Sequence, residues 1–152
     1  MRIALGADHA GVSLKEEVKR LLDQRGESYT DFGTDSAESV DYPDFAALVS
    51  VEVAAGRFDR GILVCGSGIG MAMTANKFPG IRAAAATDVT LARLSREHNN
   101  ANVLTLGERT TPPDMARRIV DAFLDTPFAG GRHERRVSKI ESVSRSGAKA
   151  GS

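Results

Sequence analysis

Cysteine occurs once in this chain, at Cys65, and its surroundings give the thiol something to do. The run Gly61-Ile62-Leu63-Val64-Cys65 is apolar and of strand length, and Gly66-Ser67-Gly68-Ile69-Gly70 follows it directly. That succession predicts a buried strand, a tight turn and a helix over Gly68 to Lys77. A helix start leaves backbone N–H groups without partners and carries the positive end of the helix dipole. A thiolate is favoured there, and an oxyanion forming beside it meets ready donors. The site suits proton abstraction next to a carbonyl, or attack on one. The plainer alternative is a free cysteine used as a small core hydrophobe. Two nucleotide-binding readings fail: the dinucleotide fingerprint meets Met71 or Met73 where it needs a small residue, and no Gly-Lys-Ser/Thr closes a P-loop.

Other residues could join this chemistry. Asp8 and His9 follow the first apolar run; Asp8 is either a helix N-cap or a handler of a hydroxyl proton, and His9 either a solvated residue or a contact for an anion. His98-Asn99-Asn100 lies between a helix and a strand, and histidine is the usual acid or base near neutral pH. Tyr42 stands at a helix start, suited equally to packing and to ligand contact. Arg132, Arg136 and Lys139 fall at i, i+4 and i+7, a basic stripe that is either a solvated face or a forked phosphate receptor. Arg109 follows the fifth strand, and spacing gives His133 no place. Three scattered histidines with no His-x-x-x-His give a metal nothing to bind.

The elements that must carry these groups alternate. Strands are predicted at Ile3–Ala7, Ser28–Phe32, Gly61–Cys65, Arg82–Ala86 and Val103–Leu106. Between them, Leu14, Val18, Leu21 and Leu22 mark a helix that Gly26 stops. Asp41-Tyr42-Pro43 opens a second, with Phe45, Leu48, Val49 and Val53 as its buried face and Gly56 past its end. Asp88 caps one carrying Leu91 and Leu94, and Pro112-Pro113 opens one with Met115, Ile119, Val120 and Phe123 inward. A last short helix is expected over Arg132 to Val143, followed by a frayed polar tail over 144–152. Five alternating strands imply a parallel sheet covered on both faces, with ligands at the carboxyl ends of the strands. That rule gathers Asp8-His9, the Cys65–Gly70 turn, Thr87 or Asp88, and Gly107 to Arg109 on one rim.

Composition narrows the classes. The length of 152 residues fits one domain, and no repeat or linker divides it. Twenty basic and twenty acidic residues cancel, so no overall charge points to nucleic acid or an anionic membrane. One cysteine excludes an intrachain disulfide. No apolar run approaches about 18 residues and the chain enters a strand pattern at once, so a cytoplasmic protein without a signal peptide is expected.

The motifs together resemble a known family. Asp8-His9-Ala10-Gly11, Asp41-Tyr42-Pro43, Cys65-Gly66-Ser67-Gly68-Ile69-Gly70, Ala75-Asn76-Lys77, Gly80-Ile81-Arg82-Ala83, Arg96-Glu97-His98-Asn99, Asn102-Val103-Leu104 and Gly130-Gly131-Arg132-His133 are similar to type B ribose-5-phosphate isomerases. The likeness runs in order over residues 1–143, and the wider family also holds galactose-6-phosphate and allose-6-phosphate isomerases. It implies a Rossmann-like three-layer α/β/α sandwich with a five-strand parallel sheet, forming one sugar-phosphate isomerase domain over 1–143. It implies interconversion of ribose 5-phosphate and ribulose 5-phosphate, a step of the pentose phosphate pathway. Cys65 would move a proton between C1 and C2 through an enediolate. Backbone N–H groups from Gly66 through Gly68, Ile69 and Gly70 would hold the negative oxygen, with the Ser67 hydroxyl added. His98 would protonate the ring oxygen while Asp8 takes the anomeric proton, Tyr42 would line the site and Asn99 would contact the sugar. Arg109, Arg132, Arg136 and His9 would grip the phosphate. The resemblance further implies a homodimer or homotetramer with sites shared between subunits, and no metal or organic cofactor. Some members replace the cysteine by a glutamate after the last glycine; Met71 stands there here and Cys65 is present, so the chain resembles the cysteine-dependent branch. Ser67 replaces a common threonine and keeps the hydroxyl. A hexose 6-phosphate substrate, a cysteine-nucleophile hydrolase and a non-enzymatic sugar-phosphate binder are the rival readings.

Overall fold

The computed structural model describes the backbone of residues 1–150 and the side chains of residues 1–145. The elements run β1 (Arg2–Ala7), α1 (Val12–Arg25), β2 (Ser28–Asp31), α2 (Tyr42–Ala54), β3 (Arg60–Cys65), α3 (Ile69–Ala75), β4 (Ala83–Ala85), α4 (Val89–Glu97), β5 (Val103–Gly107), α5 (Pro113–Asp125) and α6 (Arg132–Ala150). All strand pairs are parallel, in the order β2-β1-β3-β5-β4. The central strands β1, β3 and β5 are buried nearly throughout, as apolar strands covered on both faces must be.

Each face has its own apolar layer. Ile3, Leu5, Ile62, Val64, Leu104 and Leu106 pack with α1, α4 and α5, where Ile119 and Phe123 are fully buried. Ala4, Leu63, Cys65 and Val103 point the other way, toward Ala46, Val49 and Val53 of α2 and Met71 and Ala75 of α3. This alternation is the period-two geometry of a strand, and it completes the three-layer α/β/α sandwich. Burying each large apolar side chain contributes about 1.5–3 kcal/mol.

Turn chemistry follows the sequence closely. Gly26 ends α1 at φ +71°, a left-handed position suited to glycine. Asp88 caps α4 by accepting the Leu91 N–H at 2.7 Å. Three details differ. Leu48 is 48% exposed, and Ser50 is buried instead, so the inward face of α2 is Ala46, Val49, Ser50 and Val53. On α4 the buried residues are Ala92, Ser95 and Arg96, while Leu91 is exposed. The final helix continues past Val143 to Ala150, so residues 144–150 are helical where an irregular tail was expected; residues 151–152 lie outside the described residues. Glu141 tethers this helix, accepting from Arg82 Nη1 at 2.7 Å and from the Gly80 N–H at 3.2 Å.

A buried cation organises the loop after β2. Lys15 is fully buried, and its Nζ donates to Asp31 Oδ1 and the Thr34 carbonyl at 2.7 Å and to Asp35 Oδ1 at 3.0 Å. Burial would push the Asp31 carboxyl up, but the Lys15 ammonium, the Gly33 N–H and Lys19 outweigh it and hold it below the ordinary carboxylate range. Glu16, Asp31 and Asp35 bring three carboxylate oxygens within 4.8 Å of one another, and two ammonium groups lie among them, Lys15 on Asp31 and Asp35 and Lys19 on Glu16 and Asp31.

Candidate active site

The carboxyl ends of β1, β3 and β5 meet around the cysteine. Cys65 ends β3 and is 4% exposed, its side chain packed into the α2–α3 layer. Its Sγ accepts the Gly68 N–H at 3.2 Å, so a backbone donor of the glycine turn points at the sulfur. The turn that makes this possible is narrow. Gly68 sits at φ +78°, and a Cβ there would lie 3.0 Å from the Leu106 carbonyl carbon, so the position suits glycine twice over. Gly107 allows the turn to close on β5, since a Cβ on it would come within 2.6 Å of the Ser67 backbone. The buried Thr105 hydroxyl donates to the Gly68 carbonyl at 2.8 Å, fixing the peptide that aims its neighbour's N–H at the sulfur. Ser67 is exposed, and its Oγ accepts the Ile69 N–H at 3.3 Å. The first turn of α3 leaves further N–H groups with no acceptor inside the helix.

Around this turn stand the other groups of the same rim. Asp8 is buried; its Oδ1 accepts the Ala10 N–H at 2.9 Å, so one oxygen is held while the other is spare. His9 Nδ1 accepts the Val40 N–H at 3.1 Å, which leaves the proton on Nε2. Arg109 lies across Gly66, its Nη1 3.0 Å from where a Cβ would be, and its backbone N–H donates to the Gly66 carbonyl at 3.0 Å. The Tyr42 ring covers Gly70, with Cε2 2.6 Å from a Cβ position. A thiol, a carboxylate, a histidine, a guanidinium and a phenol therefore surround one glycine-rich turn. Thr87 and Asp88 follow β4 on the same rim, with Asp88 committed to capping α4.

His98, Asn99, Arg132 and Arg136 are elsewhere. α4 starts at the carboxyl rim and runs back across the sheet, so His98, its C-cap, lies by the amino ends of the strands. The two rims of β3 are separated by roughly 16 Å, too far for one small molecule to touch both. The His98 and His133 rings stack there with centroids 4.3 Å apart and planes 11° from parallel. Burial and the neighbouring His98, Arg132 and Arg136 push the His133 imidazole below its usual value, against the opposing Glu97. Behind this pair, Arg96 is 3% exposed and meets Asn100 Oδ1 at 2.9 Å, the Ala101 carbonyl at 2.5 Å and the Thr126 carbonyl at 3.2 Å. Burial, with Arg60 and Arg82 adding to it, lowers that guanidinium to about 10.

Sequence reasoning missed Thr105, Lys15 and Arg96. A polar residue inside the otherwise apolar strand Val103-Leu104-Thr105-Leu106 was a usable signal for the first. Lys15 and Arg96 read as ordinary surface charges, since their partners lie up to 30 residues away.

Comparison with known proteins agrees with this geometry. The profile of the Ribose/Galactose Isomerase family matches residues 3–140. The ribose-5-phosphate isomerase B of Escherichia coli strain K12 is 46% identical over 142 residues, spanning 93% of this chain and 95% of that protein. The solved structure of the Clostridium thermocellum ribose-5-phosphate isomerase B superposes with a TM-score of 0.94 at 51% identity, over 96% of this chain and 99% of that one. That of the Mycoplasma genitalium enzyme with bound ribulose 5-phosphate gives 0.91 at 40% identity, over 95% and 96%. Among the described residues no helix is long and apolar enough to cross a membrane. With a five-strand parallel sheet, a cysteine-bearing glycine turn at its carboxyl rim and near-complete coverage by these relatives, the chain belongs to the ribose/galactose isomerase family.

Proposed function

We propose that this protein is an aldose–ketose isomerase that interconverts D-ribose 5-phosphate and D-ribulose 5-phosphate in the cytoplasm, with residues 1–143 as its working domain. The observation that carries the reading is the Gly68 N–H on Cys65 Sγ, at a turn that Arg109 lies across and that sits beside Asp8, whose own N–H donates to the Val64 carbonyl at 3.2 Å. The Cys65 thiolate takes the C2 proton of the open-chain aldose and returns it to C1, while the hydroxyl proton passes from O2 to O1 in the enediolate, so no redox partner is needed. Charge passing to the substrate oxygen is met by N–H groups of the Gly66–Gly70 turn and by the Ser67 hydroxyl. Such general-base catalysis is typically worth about 10²–10⁴-fold, with a comparable factor from the oxyanion donors.

Ring opening requires an acid and a base on the furanose; on this rim Asp8 is the base, while His9 goes to the phosphate and Tyr42 to the sugar's flank. The acid, His98, is on the opposite rim with Asn99, Arg132 and Arg136. The active assembly is therefore a homodimer or a homotetramer of such dimers, in which one protomer's amino rim closes the other's carboxyl rim. Exposed Leu48, Val51, Ile69, Met73 and Leu91 supply apolar surface for such pairing. The phosphate then lies between Arg109 and His9 of one protomer and Arg132 and Arg136 of the other.

The direct test is a panel of four-, five- and six-carbon aldose phosphates given to purified protein with excess chelator. Fastest turnover on ribose 5-phosphate, undiminished by chelation, is expected. Preference for allose 6-phosphate would move the substrate to a hexose, binding without turnover would make this a sugar-phosphate binder, and a covalent acyl adduct on Cys65 would make it a hydrolase.

A further inference from the structure

His133 has no role in the chemistry above, yet it is placed with more order than the arginines beside it. Arg132 and Arg136 are exposed, whereas the His133 ring is half-buried and lies flat on His98, 4.3 Å away and 11° from parallel. Two segments far apart in sequence meet in this contact, the end of α4 and the start of α6. The chain between α5 and α6 is held to that place. The Ala129 N–H donates to the Glu97 carbonyl at 3.0 Å, and Arg96 Nε donates to the Thr126 carbonyl at 3.2 Å. Arg96 Nη1 meanwhile clamps the loop after His98, through Asn100 Oδ1 and the Ala101 carbonyl. Gly130 and Gly131, at φ +65° and +57°, then turn the chain so that the first residues of α6 face back onto α4.

We propose that His133 is a positioning residue for His98, its stacked ring fixing the plane of the His98 imidazole so that its nitrogen meets the sugar ring oxygen. His98 ends a helix and its side chain makes no hydrogen bond among the described residues, so the stack is what limits its rotation. A general acid in ring opening must present its proton along one line, and a freely rotating imidazole forfeits part of that advantage. The lowered proton affinity of His133 fits the role, since a neutral ring can lie flat on its neighbour without charge repulsion. This inference rests on the isomerase reading and extends it to a residue that need not touch substrate.

The experiment uses His133→Ala and His133→Phe in the full chain, with two readouts. The first is the His98 C2–H proton resonance in substrate-free protein, which a stacked ring displaces by its ring current. His133→Ala should move it toward the position of a free imidazole, and His133→Phe should leave it displaced. The second is kinetic: turnover of cyclic ribose 5-phosphate against solvent-deuterium exchange into linear ribulose 5-phosphate. His133→Ala should lower kcat on the cyclic sugar by about 10-fold or more with KM little changed, spare the exchange, and be largely rescued by His133→Phe. An unmoved His98 resonance, equal losses on both substrates, a loss confined to KM, or no rescue by phenylalanine would each overturn the positioning role. Wild-type protein inactive on every sugar phosphate would instead overturn the isomerase reading, an outcome distinct from any of these.

Discussion

The two rims of the sheet are built from different materials. At the carboxyl rim, position is set by backbone: Gly68 at a left-handed φ, Gly107 under Ser67, the Thr105 hydroxyl on the Gly68 carbonyl and an amide on the sulfur. At the amino rim it is set by side chains: a stacked histidine pair, a buried Arg96 clamp and exposed Arg132 and Arg136. A base that must take a proton from carbon and return it with little motion suits the first. In the proposed dimer, a phosphate grip and a proton donor arriving from a second molecule would suit the second, because long cationic side chains tolerate small errors in docking. Under the proposed dimer, each protomer would carry two half-sites, one rigid and one adaptable.

Removing chemistry from the rigid half should have the largest effect. Cys65→Ser should lower kcat by about 10²–10⁴-fold in both directions while sugar-phosphate binding persists, because the hydroxyl is a far poorer base at neutral pH. Steady-state kinetics with a binding assay checks this; activity within a few-fold of wild type would contradict it. At the adaptable half the damage should be selective. His98→Asn should lose about 10²-fold on cyclic ribose 5-phosphate, yet keep most deuterium exchange on the linear ketose.

Backbone changes come next. Gly68→Ala places a Cβ against Leu106 at φ +78°, so a loss of roughly 1–3 kcal/mol in urea stability is expected, together with lower activity. An alanine variant as stable and active as wild type would show that the turn tolerates movement.

The smallest effect concerns pH. The Asp31 carboxyl is held below its ordinary 3.8 in the folded chain, so the unfolded chain binds more protons there. Its contribution is fully present above about pH 4 and fades as pH falls through the lower folded value. The stability gap between wild type and Asp31→Asn should be constant from pH 7 to pH 5 and shrink toward pH 3. A gap that widened in acid would reverse the sign of the argument.

Much of this was legible in the residues themselves. Alternation of short apolar runs with amphipathic helices predicted five parallel strands, and the glycine turn after Cys65 predicted a strand-to-helix bend with unpaired amides beside the thiol. The position of His98 between α4 and β5 also dictates its rim, since helices in such a sheet return to the amino ends of the strands. Errors arose where partners are distant or missing. Leu48 reads as core because it is apolar at a helical spacing, yet it faces outward, on a surface that a second copy would cover. The end of α6 reads as frayed because it is polar, yet the helix continues, and its tether is an ion pair between Arg82 and Glu141, 59 positions apart. Buried charges such as Lys15 are illegible for the same reason: each is made stable only by the carboxylates and carbonyls the fold brings to it.

Subunit complementation tests the division between two protomers most directly. Cys65→Ala and His98→Asn chains, each nearly inactive alone on ribose 5-phosphate, are unfolded together, refolded as an equal mixture and assayed. Shared sites predict recovery to about a quarter of wild-type turnover, since half of the dimers are mixed and each mixed dimer holds one intact site. A mixture no more active than its two components would contradict the account, because a site contained within one protomer gains nothing from exchange.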